Sequence, residues 1–286
     1  MLLALALVGA ACRDGGSDGR VKVVASFYPL AWAAERVGGS RVDVEDLTPP
    51  GVDAHDTTLT AGQRADIVTA DVVLILGDFG FQPDVERAAQ DAQGTVIVVS
   101  KGMQLTPSAQ QDLAFDPHVW LDPKLMGAIV AQVADGLVAA DPAGTSGYRE
   151  REAATADAVE GIDASYGTGL AGCDFTEFVT THEAFGYLAS EFGLTQLGIE
   201  GLTPESEPSA ARIQAAAEAI HSGAAAPAVF YEGTDEGKRV GEAVAGNIGV
   251  PARRLGTLES DPAHGDYPSV MGANLDSLRR GLQCSG

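Results

Sequence analysis

The sequence predicts an α/β protein with two lobes, each a mainly parallel sheet flanked by helices, joined by one long rigid helix. Short strand-like segments alternate with helical segments in both halves of the chain, and one long stretch without a strand pattern separates the halves. Alternation of this kind is typical of parallel sheets covered on both faces. With 286 residues, 45% of them hydrophobic, the chain is long enough for two such lobes.

The first half contains four segments rich in apolar and β-branched residues, which we predict as strands: 21–26, 41–47, 72–77 and 95–100. Helical spacing of apolar residues predicts helices over 28–37, 60–70, 83–90 and from 122 to just before 141. Asp122 followed by Pro123 is a strong helix start, because a capping oxygen precedes a residue that has no N–H to leave unpaired. We assign residues 21–143 to an N-terminal lobe.

The long central stretch, residues 145–170, places apolar residues at helical spacing from Tyr148 to Leu170. A helix of this length would run about 39 Å at about 1.5 Å per residue. We therefore assign 144–170 to a connecting helix that bends little, and we expect the cleft between the lobes to be nearly fixed.

The alternation resumes in residues 171–286, which we assign to a C-terminal lobe. Strands are predicted at 175–181, 196–199, 228–232 and 253–255, and helices at 184–192, 209–221, 235–248 and 269–282.

The first 12 residues are apolar, end in small residues and Cys12, and are followed by a glycine-rich polar run. This pattern predicts a secretory signal and a flexible tether over residues 1–20, too short to span a bilayer. The segment resembles a bacterial lipoprotein signal, in which Cys12 would become the lipidated first residue. A plain secretory signal with an incidental cysteine is the alternative. Either one predicts an extracytoplasmic protein.

Two further cysteines, Cys173 and Cys284, would meet an oxidising compartment in an exported chain. We predict that they form a disulfide between the C-terminal end and the start of the second half. Neither lies in a Cys-x-x-Cys pair, so metal ligation by them is less favoured.

The chain carries 40 acidic and 18 basic residues, a formal charge of −22. That balance argues against nucleic acid or an anionic membrane surface as a partner. We expect a monomer that touches a membrane only through its lipid anchor. An acidic surface is ordinary for a soluble protein, and a preference for cations needs a specific site.

Three of the five histidines, His55, His118 and His182, lie where a predicted strand gives way to a loop or helix. Side chains at the carboxyl ends of parallel strands border the crevice in which ligands bind. Three imidazoles in one cleft would hold a borderline metal, and nitrogen donors favour zinc over calcium, magnesium or manganese.

At this point the chain resembles a known family, the metal-binding solute receptors of ATP-binding-cassette (ABC) importers for zinc and manganese, and its zinc-uptake branch in particular. The matching segments run in family order: VVASFYPL (23–30), LTPPGVDAHD (47–56), DPHVWLDP (116–123), THEAFGYL (181–188), GLTPESEPS (201–209) and SVMGANL (269–275).

The resemblance implies a metal held between the lobes, with His55, His118 and His182 matching the family's three histidine ligands. The manganese branch tends to place a carboxylate where His182 stands, so the match favours Zn²⁺ as the transported ligand. Gly256 stands where the family's fourth ligand, an aspartate, is usual. Glu259 or Asp261, a water molecule, or His264 are the alternatives for the fourth position.

The function implied is that of a high-affinity zinc receptor, not an enzyme, which delivers Zn²⁺ to an ABC permease. One alternative is a manganese receptor of the same fold. Another is a secreted zinc hydrolase that uses the three histidines and a bound water, with Glu183, Glu259 or Asp261 as its base.

Overall fold

The structure, a computed structural model, describes residues 19–110, 113–203 and 209–285. The predicted lipidation site, Cys12, lies outside these residues. Within them the chain forms two parallel sheets of four strands, each covered by helices. The predicted α/β architecture with two lobes is confirmed.

The first sheet has the strand order β2-β1-β3-β4, and every neighbouring pair is parallel. Its strands are β1 (Val21–Ala25), β2 (Val42–Asp46), β3 (Val72–Ile75) and β4 (Thr95–Val98). Its helices are α1 (Tyr28–Gly38), α2 (Ala61–Thr69), α3 (Pro83–Ala89) and α4 (Pro123–Ala140). The two central strands, β1 and β3, are the most apolar and are almost entirely buried.

Helix α4 begins where the sequence predicts. The Asp122 side chain caps it by accepting hydrogen bonds from the backbone N–H groups of Lys124 at 2.8 Å and Leu125 at 3.3 Å. Among the described helices, α4 is the one long and apolar enough to cross a membrane. It packs instead on α1 and the sheet, and its apolar face belongs to the core.

Helix α5 (Thr145–Gly169) joins the lobes. Near its start, Arg151 donates hydrogen bonds to the last carbonyls of α1, at 2.7 Å from Nε to Val37 O and 2.8 Å from Nη2 to Gly38 O. Near its end, the Tyr166 hydroxyl donates to Met271 O at 2.8 Å, in the C-terminal lobe. One rigid element is therefore fastened to both lobes.

The second sheet repeats the order of the first as β6-β5-β7-β8, again parallel throughout. Its strands are β5 (Glu177–Thr180), β6 (Thr195–Gly198), β7 (Ala225–Tyr231) and β8 (Ala252–Arg254). Its helices are α6 (Gly186–Glu191), α7 (Ala210–Ser222), α8 (Asp235–Ile248) and α9 (Tyr267–Gly281). A disulfide joins Cys173, just before β5, to Cys284, just after α9.

One hydrophobic core runs through both lobes. At its centre is Trp120, which is fully buried and donates a hydrogen bond from Nε1 to Thr257 O of the other lobe at 2.7 Å. The Tyr267 hydroxyl of α9 donates back to Trp120 O at 2.7 Å, and the Tyr267 ring packs on Trp32 of α1 at 4.9 Å between centroids. Hinge opening would have to break this core, so the cleft is nearly fixed.

Removal of the Tyr267 hydroxyl tests this attachment. Tyr267→Phe leaves the Trp120 carbonyl buried without its donor, and we expect the free energy of unfolding to fall by about 1–3 kcal/mol. Urea denaturation followed by fluorescence measures the change. Tyr231→Phe is the matched control, because the Tyr231 hydroxyl has no hydrogen-bond partner among the described residues. Equal stability of the two variants would contradict the prediction.

Removal of the disulfide tests the fastening of the C-terminal end. The two cysteines are 111 residues apart, so the bridge restricts a large part of the unfolded chain. We expect Cys173→Ser combined with Cys284→Ser to lower the free energy of unfolding by about 2–4 kcal/mol. The reduced parent protein is the control and should match the double variant. A double variant as stable as the oxidised parent would contradict the expectation.

Candidate metal centre

His55, His118 and His182 meet in the cleft between the two sheets, beyond the carboxyl ends of the strands. His55 lies in a turn of 3₁₀-helix (Ala54–Asp56) after β2, where the Asp53 side chain accepts a hydrogen bond from its backbone N–H at 2.8 Å. His118 immediately precedes another 3₁₀ turn (Val119–Leu121). His182 follows β5 by two residues.

Two of the imidazoles are oriented through Nδ1. The Asp116 carboxylate lies 2.8 Å from His118 Nδ1 and also accepts from the His118 backbone N–H at 3.0 Å. The carbonyl of Gly201 lies 3.0 Å from His182 Nδ1. Both partners are acceptors, so each Nδ1 carries a proton and each Nε2 faces the other residues of the cluster.

The carboxylate of Glu259 joins the three histidines. Glu259 lies in the loop between β8 and α9 and is only 3% exposed. Leu258, just before it, has a left-handed backbone with φ of 59°, which turns the loop towards the cleft. The start of the loop is held by Asn274, which bonds both the N–H of Gly256 at 2.7 Å and its carbonyl at 2.8 Å.

Asp261 and His264, the other residues considered for the fourth position, are exposed and lie outside this cluster. Gly256 offers only its backbone. Of the alternatives within the protein, the structure therefore brings Glu259 to the three histidines.

The four side chains have the spacing of a small metal site. His118 Nε2 lies 3.1 Å from His182 Nε2, and Glu259 Oε1 lies 3.4 Å from His182 Nε2 and 3.7 Å from His118 Nε2. The four ligand atoms, with one from His55, all lie within 4.8 Å of one another. Tetrahedral zinc with Zn–N bonds of about 2.0–2.1 Å places its ligands about 3.3 Å apart.

Unsatisfied polar atoms point to the same conclusion. His55 Nε2 and both carboxylate oxygens of Glu259 are buried and make no hydrogen bond of normal geometry. Buried polar groups without partners are rare in folded proteins and cost about 1–3 kcal/mol each. A cation in the cluster would bind His55 through this nitrogen or its neighbour and Glu259 through a carboxylate oxygen.

The charges of the four groups are interdependent. Burial lowers the pKa of His55 to about 3, so this imidazole is neutral at pH 7. Burial opposes charge on His118 too, but the contacts with Asp116 and Glu259 outweigh it and raise its pKa to about 9. Burial likewise opposes charge on Glu259, yet the neighbouring His118 and His182 hold its pKa well below the usual range. In the metal-free cluster His118 is therefore protonated and positively charged, and the Glu259 carboxylate beside it is negatively charged.

Other carboxyl groups with restricted exposure lie around the centre. Burial and the charge of Glu259 raise the pKa of Asp53, and burial with the charge of Glu232 raises that of Glu200 to about 7. Burial also raises the pKa of Glu232, one oxygen of which accepts from the Thr234 hydroxyl at 3.1 Å. Thr234 in turn caps α8. Partial protonation limits the negative charge that these groups add around the cluster.

Aromatic rings close the histidine side of the centre. The Phe81 ring meets His55 edge-on at 4.7 Å between centroids, and Trp120 lies 5.2 Å from His118. On the other side, a pocket of about 590 Å³ opens between residues 50–53 of the N-terminal lobe and residues 256–263 of the C-terminal lobe. Glu259 and Asp53 line it, whereas none of the three histidines does. Glu259 is thus the cluster member that borders this pocket, while His55 is the most exposed of the four.

The chain is similar to known proteins over nearly its whole length. The family model described as "Zinc-uptake complex component A periplasmic" (ZnuA) matches residues 23–281. The chain belongs to this family.

Relatives in the family match over nearly the whole chain. The high-affinity zinc uptake system protein ZnuA of Bacillus subtilis is 29% identical, over 99% of this chain and 96% of the relative. The zinc-binding lipoprotein AdcA of Streptococcus pneumoniae is 30% identical over 98% of this chain, which spans 59% of AdcA's length. The crystal structure of the Zn(II)-bound ZnuA-like domain of S. pneumoniae AdcA superposes with a TM-score of 0.79 at 29% identity, covering 92% of this chain and 99% of that domain. The family resemblance seen in the sequence is confirmed.

The family's sequence pattern locates the three histidines but not Glu259. The resemblance puts Gly256 where an aspartate ligand is expected, and the structure brings to the cluster a carboxylate from three residues further along. The turn that brings Glu259 inward has a left-handed backbone at Leu258. A glycine or asparagine at position 258 would have predicted such a turn, but the sequence has a leucine there.

Proposed function

We propose that this protein is an extracytoplasmic receptor that binds Zn²⁺ through His55, His118, His182 and Glu259 and delivers it to an ABC importer permease. The observation that carries the proposal is the cluster of three imidazole nitrogens and one carboxylate, whose ligand atoms all lie within 4.8 Å of one another. Zinc is the transported cargo and not a catalytic cofactor. The zinc-bound structure of a related domain supports the same assignment.

The donor set favours zinc over manganese. Three nitrogen donors and one carboxylate suit a small borderline cation that accepts four ligands, whereas manganese prefers oxygen-rich, six-coordinate sites. Glu259 as fourth ligand would complete the shell without water. Such a closed shell is typical of a site that holds its metal and not of one that catalyses hydrolysis.

The surroundings also favour a receptor over a zinc hydrolase. A hydrolase needs a free base beside a metal-bound water. Glu183 lies 3.3 Å from Arg212 and outside the cluster, and Asp261 is exposed. Glu259 is engaged with the histidines themselves. We therefore infer that the protein is not an enzyme.

For the rest of the chain we propose the arrangement that the sequence predicts: residues 1–20 as signal and tether, with Cys12 as the lipidated anchor, and a monomeric receptor outside the cytoplasmic membrane. The related AdcA of S. pneumoniae is named a lipoprotein, which supports the anchor.

The ligand assignment is tested by zinc content and competitive zinc affinity of the untagged chain from Val21 onward. We expect one tightly bound zinc per chain, lost when His55, His118 and His182 are all changed to Ala. Glu259→Ala should weaken zinc binding by more than about tenfold, because the site loses one of its four ligands and the negative charge that it brings.

Asp261→Ala is the matched control for Glu259→Ala. It removes an acidic side chain two residues away that is exposed and outside the cluster, so the affinity should change by less than about threefold. An equal loss of zinc affinity in both variants would mean that the negative charge near the site, and not ligation by Glu259, causes the effect. Retention of tight zinc binding by the triple histidine variant would overturn the proposal, and a preference for Mn²⁺ in direct competition would overturn the choice of metal.

Zinc binding should release about one proton per ion at pH 7. His118 has a pKa of about 9 in the metal-free protein and is therefore protonated, whereas a metal needs its Nε2 unprotonated. The affinity should consequently fall about tenfold for each unit that the pH drops below about 9. Calorimetric titration in buffers of different ionisation enthalpy counts the released protons.

The control for this prediction is Asp116→Asn, which removes the main partner that keeps His118 charged. It should release fewer protons at pH 7 than the parent. An affinity independent of pH between 6 and 8 would contradict the prediction.

A further inference from the structure

We propose that the C-terminal lobe carries a second ligand site, in which Arg253, Arg254 and Arg280 bind a small multivalent oxyanion, a phosphate or a polycarboxylate. The site is a pocket of about 340 Å³ between β8 and α9. It is separate from the metal centre, none of whose four residues lines it.

Three arginines line this pocket although the chain as a whole is strongly acidic. Arg253 and Arg254 end the edge strand β8, and Arg280 lies in the last turn of α9. They are three of only 18 lysines and arginines, against 40 acidic residues. Random placement on such a surface would surround each one with carboxylates.

None of these three arginines has an acidic partner within the described part of the chain. Arg64 and Arg87 pair with Asp84, and Arg239 pairs with Glu236. No such ion pair, and no side-chain hydrogen bond, forms for the three arginines of the pocket. Their guanidinium groups remain available to a ligand.

The burial of Arg253 strengthens this inference. The Arg253 side chain is half-buried, and its Nε is fully buried with no hydrogen-bond partner. A buried N–H of a charged group without an acceptor is costly, and a bound oxyanion would supply the acceptor. Guanidinium groups are suited to this task because they donate paired, parallel hydrogen bonds to carboxylate or phosphate oxygens.

Room for Arg254 is provided by a glycine. A Cβ at Gly233 would lie 2.6 Å from Arg254 Nη2, so any side chain there would displace the guanidinium group. Gly233 thus allows Arg254 to lie close against the backbone that follows β7, at the border between this pocket and the interlobe pocket, which it also lines.

The shape of the site favours a small molecule over a protein or membrane surface. The pocket is concave, and its volume falls at the lower end of the range for small-molecule sites. His264 and Ser277 add further polar groups to its wall. The shared chemistry of the ligand is a compact group with two or more negative charges.

Isothermal titration calorimetry of the parent chain with inorganic phosphate and with citrate, at constant low ionic strength, tests the site. We expect saturable binding of at least one of the two at one ion per chain, and no saturable binding of chloride. Binding of phosphate alone would identify the ligand as a phosphate group, and binding of citrate alone would identify it as a polycarboxylate. Binding of neither ion would overturn the proposal, and contact with an acidic protein surface would then be the remaining role for the arginines.

Arg253→Gln and Arg280→Gln should each weaken anion binding by about tenfold or more, because each removes charge-assisted hydrogen bonds. Arg87→Gln is the matched control, since it makes the same change of net charge at an exposed arginine far from the pocket. An equal effect of all three variants, or no effect of the first two, would overturn the proposal.

Zinc affinity measured on the same samples keeps this proposal distinct from the metal receptor function. The parent and all three variants should bind zinc alike, which also shows that they are folded. Loss of anion binding with zinc binding intact supports the site. Loss of both together would assign the effect to misfolding or to the metal centre and would overturn it.

Discussion

The hydrogen bond from Trp120 to the carbonyl of Thr257 sets the spacing on which the metal centre depends. Trp120 follows His118 by two residues, and Thr257 precedes Glu259 by two. The bond therefore joins the N-terminal segment that carries one proposed ligand to the C-terminal segment that carries another. The Tyr267 hydroxyl fixes the other side of the same tryptophan. Since these contacts lie inside a continuous core, the ligands are held in place before any metal arrives, and little of the binding free energy is spent on ordering them.

The metal-free centre is stabilised by a proton in the position where a cation belongs. Burial disfavours the charged form of Glu259, and the neighbouring His118 and His182 outweigh it and lower the pKa of this carboxyl group. Zinc bound by the proposed ligands would replace that proton with a stronger positive charge at the same place. The formal charge of −22 acts differently, because it raises the concentration of cations near the surface without selecting among them. Selectivity then comes from the nitrogen donors and their spacing.

Most of the fold could be predicted from the sequence because local patterns and the final packing agree. Strand β3 is a continuous apolar run, and Asp122 followed by Pro123 marks the start of α4. The differences occur where tertiary contacts decide the backbone. Helix α6 was predicted from residue 184 but begins at Gly186, because Gln196 bonds both the His182 carbonyl and the Phe185 N–H and holds the intervening residues in a turn.

The candidate site was predictable to a different extent at each residue. The three histidines could be found because each follows a strand whose carboxyl end faces the cleft. Glu259 could only be one of several alternatives, since its inward direction depends on a left-handed leucine and on the side chain of Asn274, 15 residues further along the chain. Neither feature can be recognised from the spacing of residues in the sequence. The arginine pocket was not predicted at all, because Arg280 meets Arg253 and Arg254 only after α9 folds back on the edge strand.

A nearly fixed cleft has a consequence for how a transport partner distinguishes a loaded receptor from an empty one. Receptors that close around their ligand change their overall shape when the ligand binds. In this protein the core is shared between the lobes, and such a change would disrupt it. The structural difference between the loaded and the empty receptor must therefore be local. Residues 256–263 carry Glu259 at the edge of the interlobe pocket, and Ser260 in this segment accepts a hydrogen bond from Gly51 N in the opposite lobe at 3.1 Å. This loop joins the proposed ligand Glu259 to the opposite lobe, so it is the surface segment on which a bound metal would act most directly.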